Sequence, residues 1–290
     1  MRRLLLAVIP LLLLAGCAAR DEGGDQPARR AEPAERRYRA TGMVLENKDR
    51  GPQLCLGVVL TSHPPQCEGL PIGNWRWDQV DGEESAGGVT WGPYQVVGTY
   101  DGTSFTVTRA APAPPQRQPS HEEQFRDEPK PGCPEPEGGW AVPDPARRSE
   151  PYLEKVSRMA RAAPDFAGIW LSYLEPMGND VAEHPGEFVL NVAFTGDLAR
   201  HEAELRPHWG GRLCVTRQER PYRRLLEIQG ELQGAVGGDL GLRVLETGIR
   251  EDVNAVTLRV EVLEDRAREA IDARYGAAAV EASAALEPVP

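Results

Sequence analysis

The chain has 290 residues, of which 40% are hydrophobic and 27% are charged, proportions typical of folded globular proteins. Its formal net charge of −11 at pH 7 predicts a surface that repels nucleic acid and anionic lipid, so we expect no nucleic-acid partner. Once the signal segment and the proline-rich middle are set aside, the remaining length suits two domains of ordinary size.

Residues 1–17 have the pattern of a bacterial export signal. Arg2 and Arg3 precede an apolar run, residues 4–14, that is too short to span a bilayer as a mature helix. The segment ends in Leu-Ala-Gly-Cys at residues 14–17, which resembles the lipobox of bacterial lipoproteins. The resemblance implies cleavage before Cys17, a diacylglyceryl thioether on its sulfur and acylation, for example by palmitate, of its new amino group. The alternative is an ordinary signal peptide in which this cysteine is incidental.

The four cysteines that remain after Cys17 form an even set, as expected in an oxidising compartment. Cys55 and Cys67 flank a turn-like stretch, and we predict a disulfide between them, worth about 3 kcal/mol for so short a loop. Cys133 and Cys214 are then predicted to pair. The alternative is four free thiols; a metal site is not expected, because the chain has no Cys-x-x-Cys pair.

Residues 18–37 are mostly charged, small or proline, which predicts a disordered tether reaching on the order of 25 Å. Residues 38–110 contain short β-rich runs separated by turns, with predicted strands at 38–45, 54–61, 75–77, 94–100 and 104–109. The last two flank Asp101-Gly102, a strong hairpin signal. We predict a small all-β domain similar to the OB-fold, a compact Greek-key barrel; a β-sandwich would give the same run of strands.

Residues 111–164 are rich in proline and predict a linker that ends in a short helix beginning at Pro151. Residues 165–290 alternate between the two element types. Strands are predicted at 188–195, 213–216, 242–247, 255–263 and 280–286, and helices after Asp197, from Pro221 and over 265–275. This order predicts an α+β sandwich of ferredoxin-like type, with helices on one face of a mainly antiparallel sheet.

Motifs for chemistry are weak. Residues 201–205 (HEAEL) begin like the zinc-protease helix motif, but Leu205 stands where the second histidine is needed, and we interpret His201 as part of a solvated helix face. The chain has no Gly-x-Ser-x-Gly elbow, P-loop or Rossmann fingerprint. We therefore assign no catalytic residue, metal ligand or cofactor, and favour a protein that is not an enzyme.

Aromatic residues concentrate in the predicted β domain, where Trp75, Trp77, Trp91 and Tyr94 are candidate binding residues. On a strand, Trp75 and Trp77 would point to one face, because side chains alternate with period two. Facing inward, they would be core residues. Facing outward, they would form an apolar platform that stacks sugars, peptides or, least suitably for an acidic chain, bases.

The body of the chain resembles uncharacterised lipoproteins of high-GC monoderm bacteria through residues 52–57 (PQLCLG), 64–67 (PPQC) and 97–102 (VGTYDG). The resemblance implies a location and brings no activity with it. We expect a protein lipid-anchored on the extracytoplasmic face of the cell membrane, a non-enzymatic module that binds a protein or cell-wall partner. The alternatives are a hydrolase of the cell wall or of exported peptides, and a protease-modulating module loosely similar to the propeptides of secreted bacterial proteases.

Overall fold

A computed structural model of the chain describes residues 36–115, 117–176 and 188–289. The predicted export signal, Cys17 and the predicted tether up to residue 35 lie outside the described residues. No helix in the part that is described is long and apolar enough to cross a membrane.

The described chain is mostly β, with several sheets and few helices. Its strands are β1 (Arg37–Asn47), β2 (Gly51–Cys55), β3 (Val59–Leu60), β4 (Gln66–Cys67), β5 (Leu70–Pro71), β6 (Glu84–Ala86), β7 (Val89–Tyr100), β8 (Phe105–Pro112), β9 (Phe166–Tyr173), β10 (Phe188–Phe194), β11 (Arg212–Arg217), β12 (Val244–Arg250), β13 (Ala255–Val260), β14 (Val280–Ala284) and β15 (Glu287–Val289). Its α-helices are α1 (His121–Asp127), α2 (Glu150–Arg161), α3 (Leu198–Leu205), α4 (Tyr222–Gln233), α5 (Ala235–Asp239) and α6 (Asp265–Tyr275). Three short 3₁₀ turns lie at Trp77–Gln79, Pro145–Arg147 and Arg206–His208.

The first sheet is built on two long antiparallel strands, β1 and β7. The other edge of β1 pairs with β15 at one end and with β2 at the other, and β2 in turn pairs with β5. The other edge of β7 pairs with β6 and β8. The sheet curls until Ile72, just after β5, forms a parallel bridge with Phe105 on β8, and the Gly73 N–H donates to the Phe105 carbonyl at 3.2 Å.

Large apolar side chains fill the inside of this curled sheet. They alternate along their strands, as period-two burial requires. The buried members are Tyr38, Ala40, Val44, Leu54, Leu56, Leu70, Ile72, Tyr94, Val96, Phe105 and Leu286. Leu286 comes from the far end of the chain, so residues near both ends of the described chain share one core.

The second half of the chain contains the order helix, strand, strand, helix, strand twice. The first unit is α2-β9-β10-α3-β11 and the second is α4-β12-β13-α6-β14, with α5 inserted after α4. In each unit the first two strands are antiparallel and the strand after the helix is parallel to its neighbour, as a helical crossover permits. Each three-stranded sheet packs its helices over its own apolar core. The mixture of helices and strands predicted for this half is confirmed.

The predicted proline-rich linker does more than connect. Residues 130–133, the strap, cross the sheet β9–β11 on the side opposite the helices. The Gly132 N–H donates to Asn191 Oδ1 at 2.9 Å, and Trp170 Nε1 donates to the Lys130 carbonyl at 3.2 Å. Asn191 is fully buried in the middle of β10. A segment without apolar periodicity is thus held by polar contacts with the sheet.

Both predicted disulfides are present. Cys55 and Cys67 are bonded with a Cα–Cα distance of 5.9 Å, and Cys133 and Cys214 with one of 5.8 Å. The second bond attaches the strap to β11 of the first helix-and-strand unit.

Candidate functional site

The structure brings three of the four predicted aromatic binding residues together. The expected strand at residues 75–77 is wrong: Trp75 lies in a loop and Trp77 begins a 3₁₀ turn. Both rings nevertheless pack on Tyr94, with centroids 4.9 Å from Trp75 and 6.1 Å from Trp77, and the two indoles are 5.5 Å apart. We call Trp75, Trp77 and Tyr94 the aromatic cluster. It covers one end of the first core, with Tyr94 fully buried and both indoles half-buried.

Trp91 lies apart from this cluster. It points to the other face of β7, where it is buried against Leu45 and Cys55. Its ring meets the edge of His63 at 5.6 Å. Trp91 is therefore a packing residue around the Cys55–Cys67 disulfide in this structure.

Of the three polar side-chain atoms in the aromatic cluster, one has a hydrogen-bond partner among the described residues and two have none. Trp77 Nε1 donates to Glu46. Trp75 Nε1 and Tyr94 Oη are buried and have no hydrogen-bond partner among the described residues. Burial raises the pKa of Tyr94, and the charges of Glu83 and Asp81 raise it further. The neighbourhood of the cluster is therefore acidic.

A cavity of about 600 Å³, the junction cleft, lies between the first sheet and the second helix-and-strand unit. Its lining combines aromatic, charged and glycine residues: Tyr38, Tyr100, Asp101, Gly102, Gly238, Leu240, Gly241, Leu242, Arg243, Glu261, Val262, Glu264, Arg266 and Ala267. Because a concave surface with converging polar groups can orient a ligand, we treat the junction cleft as the candidate site.

One of the residues that line the junction cleft is a buried carboxylate, Glu261. Only 8% of the Glu261 side chain is exposed. Its Oε2 accepts a hydrogen bond from Tyr100 Oη at 2.5 Å and forms an ion pair with Arg243 Nε at 3.1 Å. Burial raises the pKa of Tyr100 above its ordinary value of 10, and the hydrogen bond to Glu261 and the charge of Glu261 add to that rise. Tyr100 therefore stays protonated at neutral pH, and its hydroxyl donates a hydrogen bond to the carboxylate.

The rim of the junction cleft is formed in part by the β7–β8 turn. Asp101 accepts hydrogen bonds from the N–H groups of Ser104 and Thr103 and from both of their hydroxyls. These bonds lower the pKa of Asp101, so its carboxylate is ionised at neutral pH. On the opposite side, Arg266 pairs with Glu264 at 2.7 Å at the start of α6. Each described charge at the rim thus has a local partner, and a ligand would meet a preorganised polar surface.

Sequence reasoning missed this cleft because Tyr100 and Glu261 are 161 residues apart. The available signal was a glutamate at the end of an alternating apolar strand, β13. That signal identifies an unusual residue but not its partner.

His201 departs from its predicted solvated position. Its side chain is 3% exposed and stacks flat on Phe194, with centroids 3.6 Å apart. Its Nε2 lies 2.9 Å from Asp165 Oδ2. The reason is helical spacing: Leu198, His201 and Leu205 share the face of α3 that packs on the sheet.

The histidine has no nucleophile beside it. In the described part of the chain its polar partners are Asp165, Arg200 and Glu204, and none of them is a hydroxyl or a thiol. The arrangement therefore ties α3 to the turn before β9. Over the three described ranges, no group of three or more His, Cys, Asp or Glu residues could hold a metal ion.

No protein-family model, curated protein or solved structure matches this chain. Only the geometry of the described residues and the amino-acid sequence therefore bear on its function.

Proposed function

We propose that this chain is a lipoprotein anchored through Cys17 on the extracytoplasmic face of the cell membrane, where it binds a protein or cell-wall partner without catalysing a reaction. The lipobox-like residues 14–17 and the cysteine set support the location. The observation that carries the binding function is the junction cleft, in which Tyr100 and Arg243 hold the buried Glu261 carboxylate.

The chemistry of the cleft favours binding over catalysis. A general acid or base needs a proton that it can gain or lose near neutral pH. The pKa of Tyr100 is raised away from that range. The described lining of the cleft contains no histidine or cysteine. Tyr100 and Glu261 instead orient a polar ligand by fixed hydrogen bonds.

We also propose a fold type for each half of the chain. The successive pairings β5-β2-β1-β7-β8, with the single bridge between Ile72 and Phe105, support comparing the first half with the partly open Greek-key barrel of the OB-fold. The two sheets, each with helices on one face, support comparing the second half with ferredoxin-like α+β sandwiches.

The experiment that tests this function introduces a bulky side chain into the junction cleft. Gly238 lines the cavity, and a Cβ built on it meets nothing within 4 Å, so Gly238→Phe adds a ring without a backbone clash. Gly230→Phe is the matched control, because Gly230 is also open, exposed and helical but does not line the junction cleft. The full-length protein, extracted from membranes, would be titrated with a peptidoglycan digest reduced to its soluble peptides and freed of glycan, and its thermal unfolding would be followed.

We expect the digest to raise the melting temperature of the wild type and of Gly230→Phe but not that of Gly238→Phe, with the bound fragments recovered chemically unchanged. Equal stabilisation of both variants would contradict the cleft, and altered fragments would contradict a non-enzymatic role. Mass spectrometry of the same preparation reads the modification on Cys17, and an unmodified cysteine would contradict the anchor.

A further inference from the structure

The aromatic cluster contains two polar atoms that the fold leaves without a partner. Trp75 Nε1 and Tyr94 Oη are both buried and have no hydrogen bond within the described residues, although their rings are only 4.9 Å apart. A buried polar atom without a partner is costly and uncommon in folded proteins. Two of them in one aromatic group indicate a surface whose hydrogen bonds are completed by something else.

We propose that the aromatic cluster is a saccharide-binding surface, separate from the junction cleft and independent of the function proposed for it. Sugars present apolar C–H faces that stack on aromatic rings, and hydroxyls that both donate and accept hydrogen bonds. The cluster offers both kinds of contact. Its indole N–H is a donor, and the carboxylate of Glu46, which Trp77 already orients, is an acceptor at its edge.

A cationic ligand fits these residues less well, although acidic groups lie nearby. The three ring centroids are only 4.9–6.1 Å apart, so the rings pack directly on one another and leave no room for an ammonium group between them. A cation would also leave the Trp75 N–H unpaired, because a cation accepts no hydrogen bond.

The backbone around the indoles allows the cluster to open. Asn74 is fixed to Val107 by two hydrogen bonds, of 2.7 and 2.9 Å. From Trp75 to Gln79 the chain belongs to no β-ladder and is held by a 3₁₀ turn, the Trp77–Glu46 bond and ring contacts. Rotation of the half-exposed Trp75 ring away from Tyr94 would bring the Trp75 N–H to a ligand and uncover the side of Tyr94 that the indole contacts.

Tyr94→Phe separates a binding role from a structural one. If the Tyr94 hydroxyl is unpaired in the free protein, its removal leaves the melting temperature unchanged or raises it, while it weakens saccharide binding. If the hydroxyl had only a structural role, its removal would lower the melting temperature and would not weaken saccharide binding specifically. Tyr152→Phe is the control, since Tyr152 is an exposed tyrosine on α2.

The test titrates the full-length protein, kept in a polyoxyethylene detergent that carries no sugar headgroup, with cellohexaose and chitohexaose. Binding is followed by tryptophan fluorescence and calorimetry, with tetramethylammonium and a polyproline peptide as competing classes. We expect at least one hexasaccharide to bind, with the affinity lowered at least about tenfold by Trp77→Ala and about fivefold by Tyr94→Phe. Trp140→Ala, which changes an indole outside the cluster, and Gly238→Phe, which fills the cleft, should leave it unchanged.

Three results would overturn the proposal. One is the absence of binding by either hexasaccharide at millimolar concentration. Another is binding of tetramethylammonium or polyproline in their place. The third is a lower melting temperature for Tyr94→Phe in the free protein, which would place a trapped water on the hydroxyl. The two proposals can fail separately. If saccharides bind to the aromatic cluster but no ligand binds in the junction cleft, this inference holds and the proposed function does not.

Discussion

Single buried polar side chains in this protein join segments that are distant in the chain. Glu261 links the end of β13 to Tyr100 at the end of β7, and Asn254 accepts the Arg220 N–H at 2.8 Å while donating to the Arg220 carbonyl. Each of these groups would cost free energy if it were buried alone, so its partner residue must be in place when the chain folds. Their positions therefore specify which elements meet.

The Tyr100–Glu261 hydrogen bond predicts a particular dependence of stability on pH. The pKa of Tyr100 is raised in the folded protein, so the folded state binds the phenolic proton more tightly than the unfolded state does. Its contribution is complete below pH 10, the ordinary value for tyrosine, and is lost as pH rises through the folded pKa. We expect Tyr100→Phe to be less stable than the wild type by about 1–2 kcal/mol at pH 8, because Glu261 loses a donor.

That difference should shrink as pH rises beyond 10, where ionisation of Tyr100 opposes folding only in the wild type. Urea unfolding at a series of pH values between 8 and 11 measures it, and Tyr152→Phe, an exposed tyrosine on α2, serves as control. The pKa values of Tyr94 and Tyr275 are also raised, so the wild-type decline should be reduced in Tyr100→Phe but not abolished. A difference that stays constant over this pH range would contradict the assignment.

The strap covers the face of the sheet β9–β11 where another layer of secondary structure could have packed. Asn191 accepts the Gly132 N–H and donates to the Ser172 hydroxyl at 2.9 Å and to the Val189 carbonyl at 3.0 Å. The Cys133–Cys214 disulfide holds the same segment covalently. The hydrogen bonds and the disulfide both hold the strap against the sheet, but only the disulfide is covalent.

This redundancy predicts how the strap can be released. Asn191→Leu removes the polar attachment and leaves the Gly132 N–H and the Ser172 hydroxyl unpaired, so we expect a loss of about 2–4 kcal/mol in the free energy of unfolding. The strap should still resist cleavage near Gly132 in limited proteolysis, because the disulfide remains. Cleavage there should become rapid when Asn191→Leu is combined with reduction. Rapid cleavage after reduction of the wild type alone would show that the polar contacts do not hold the strap.

Elements whose signals are local were predictable from sequence. The β7–β8 hairpin follows from Asp101-Gly102, where Gly102 takes a φ of 97°, and α6 spans residues 265–275 as predicted. The apolar spacing of Leu225, Ile228 and Leu232 likewise identified α4, which buries all three residues. In each case the determining residues lie within a few turns of one another.

Elements whose form depends on distant partners were missed. Trp75 and Trp77 have the spacing of a strand, but they fold around Tyr94 and Glu46, which the local pattern does not contain. Strand β9 escaped prediction, and the proline-rich segment gave no sign that it would cover a sheet. The cleft is likewise tertiary, so residue spacing alone could not place it, whereas the burial of His201 had a local signal in its helical spacing with Leu198 and Leu205.

Residues 286–289 connect the end of the described chain to its first strand. Strand β15 pairs with β1, with Glu287 opposite Arg39 and Val289 opposite Arg37. The preceding Leu286 is fully buried in the first core, and its N–H donates to the Glu261 carbonyl at 2.9 Å. The first sheet and the second helix-and-strand unit therefore share backbone hydrogen bonds as well as apolar packing.

This closure predicts that the two regions unfold together. Leu286→Ala should cost about 2–5 kcal/mol, because it leaves a cavity in a packed core. Hydrogen exchange followed by mass spectrometry should show that the slowest amides of β1, β7 and β13 all lose protection, since the cavity lowers the stability of a shared cooperative unit. Leu226→Ala, on the exposed face of α4, should change none of them by a comparable amount. Loss of protection in β13 with β1 and β7 unaffected would mean that the first sheet is stable without the C-terminal residues, and the junction cleft would then join two independently folding parts.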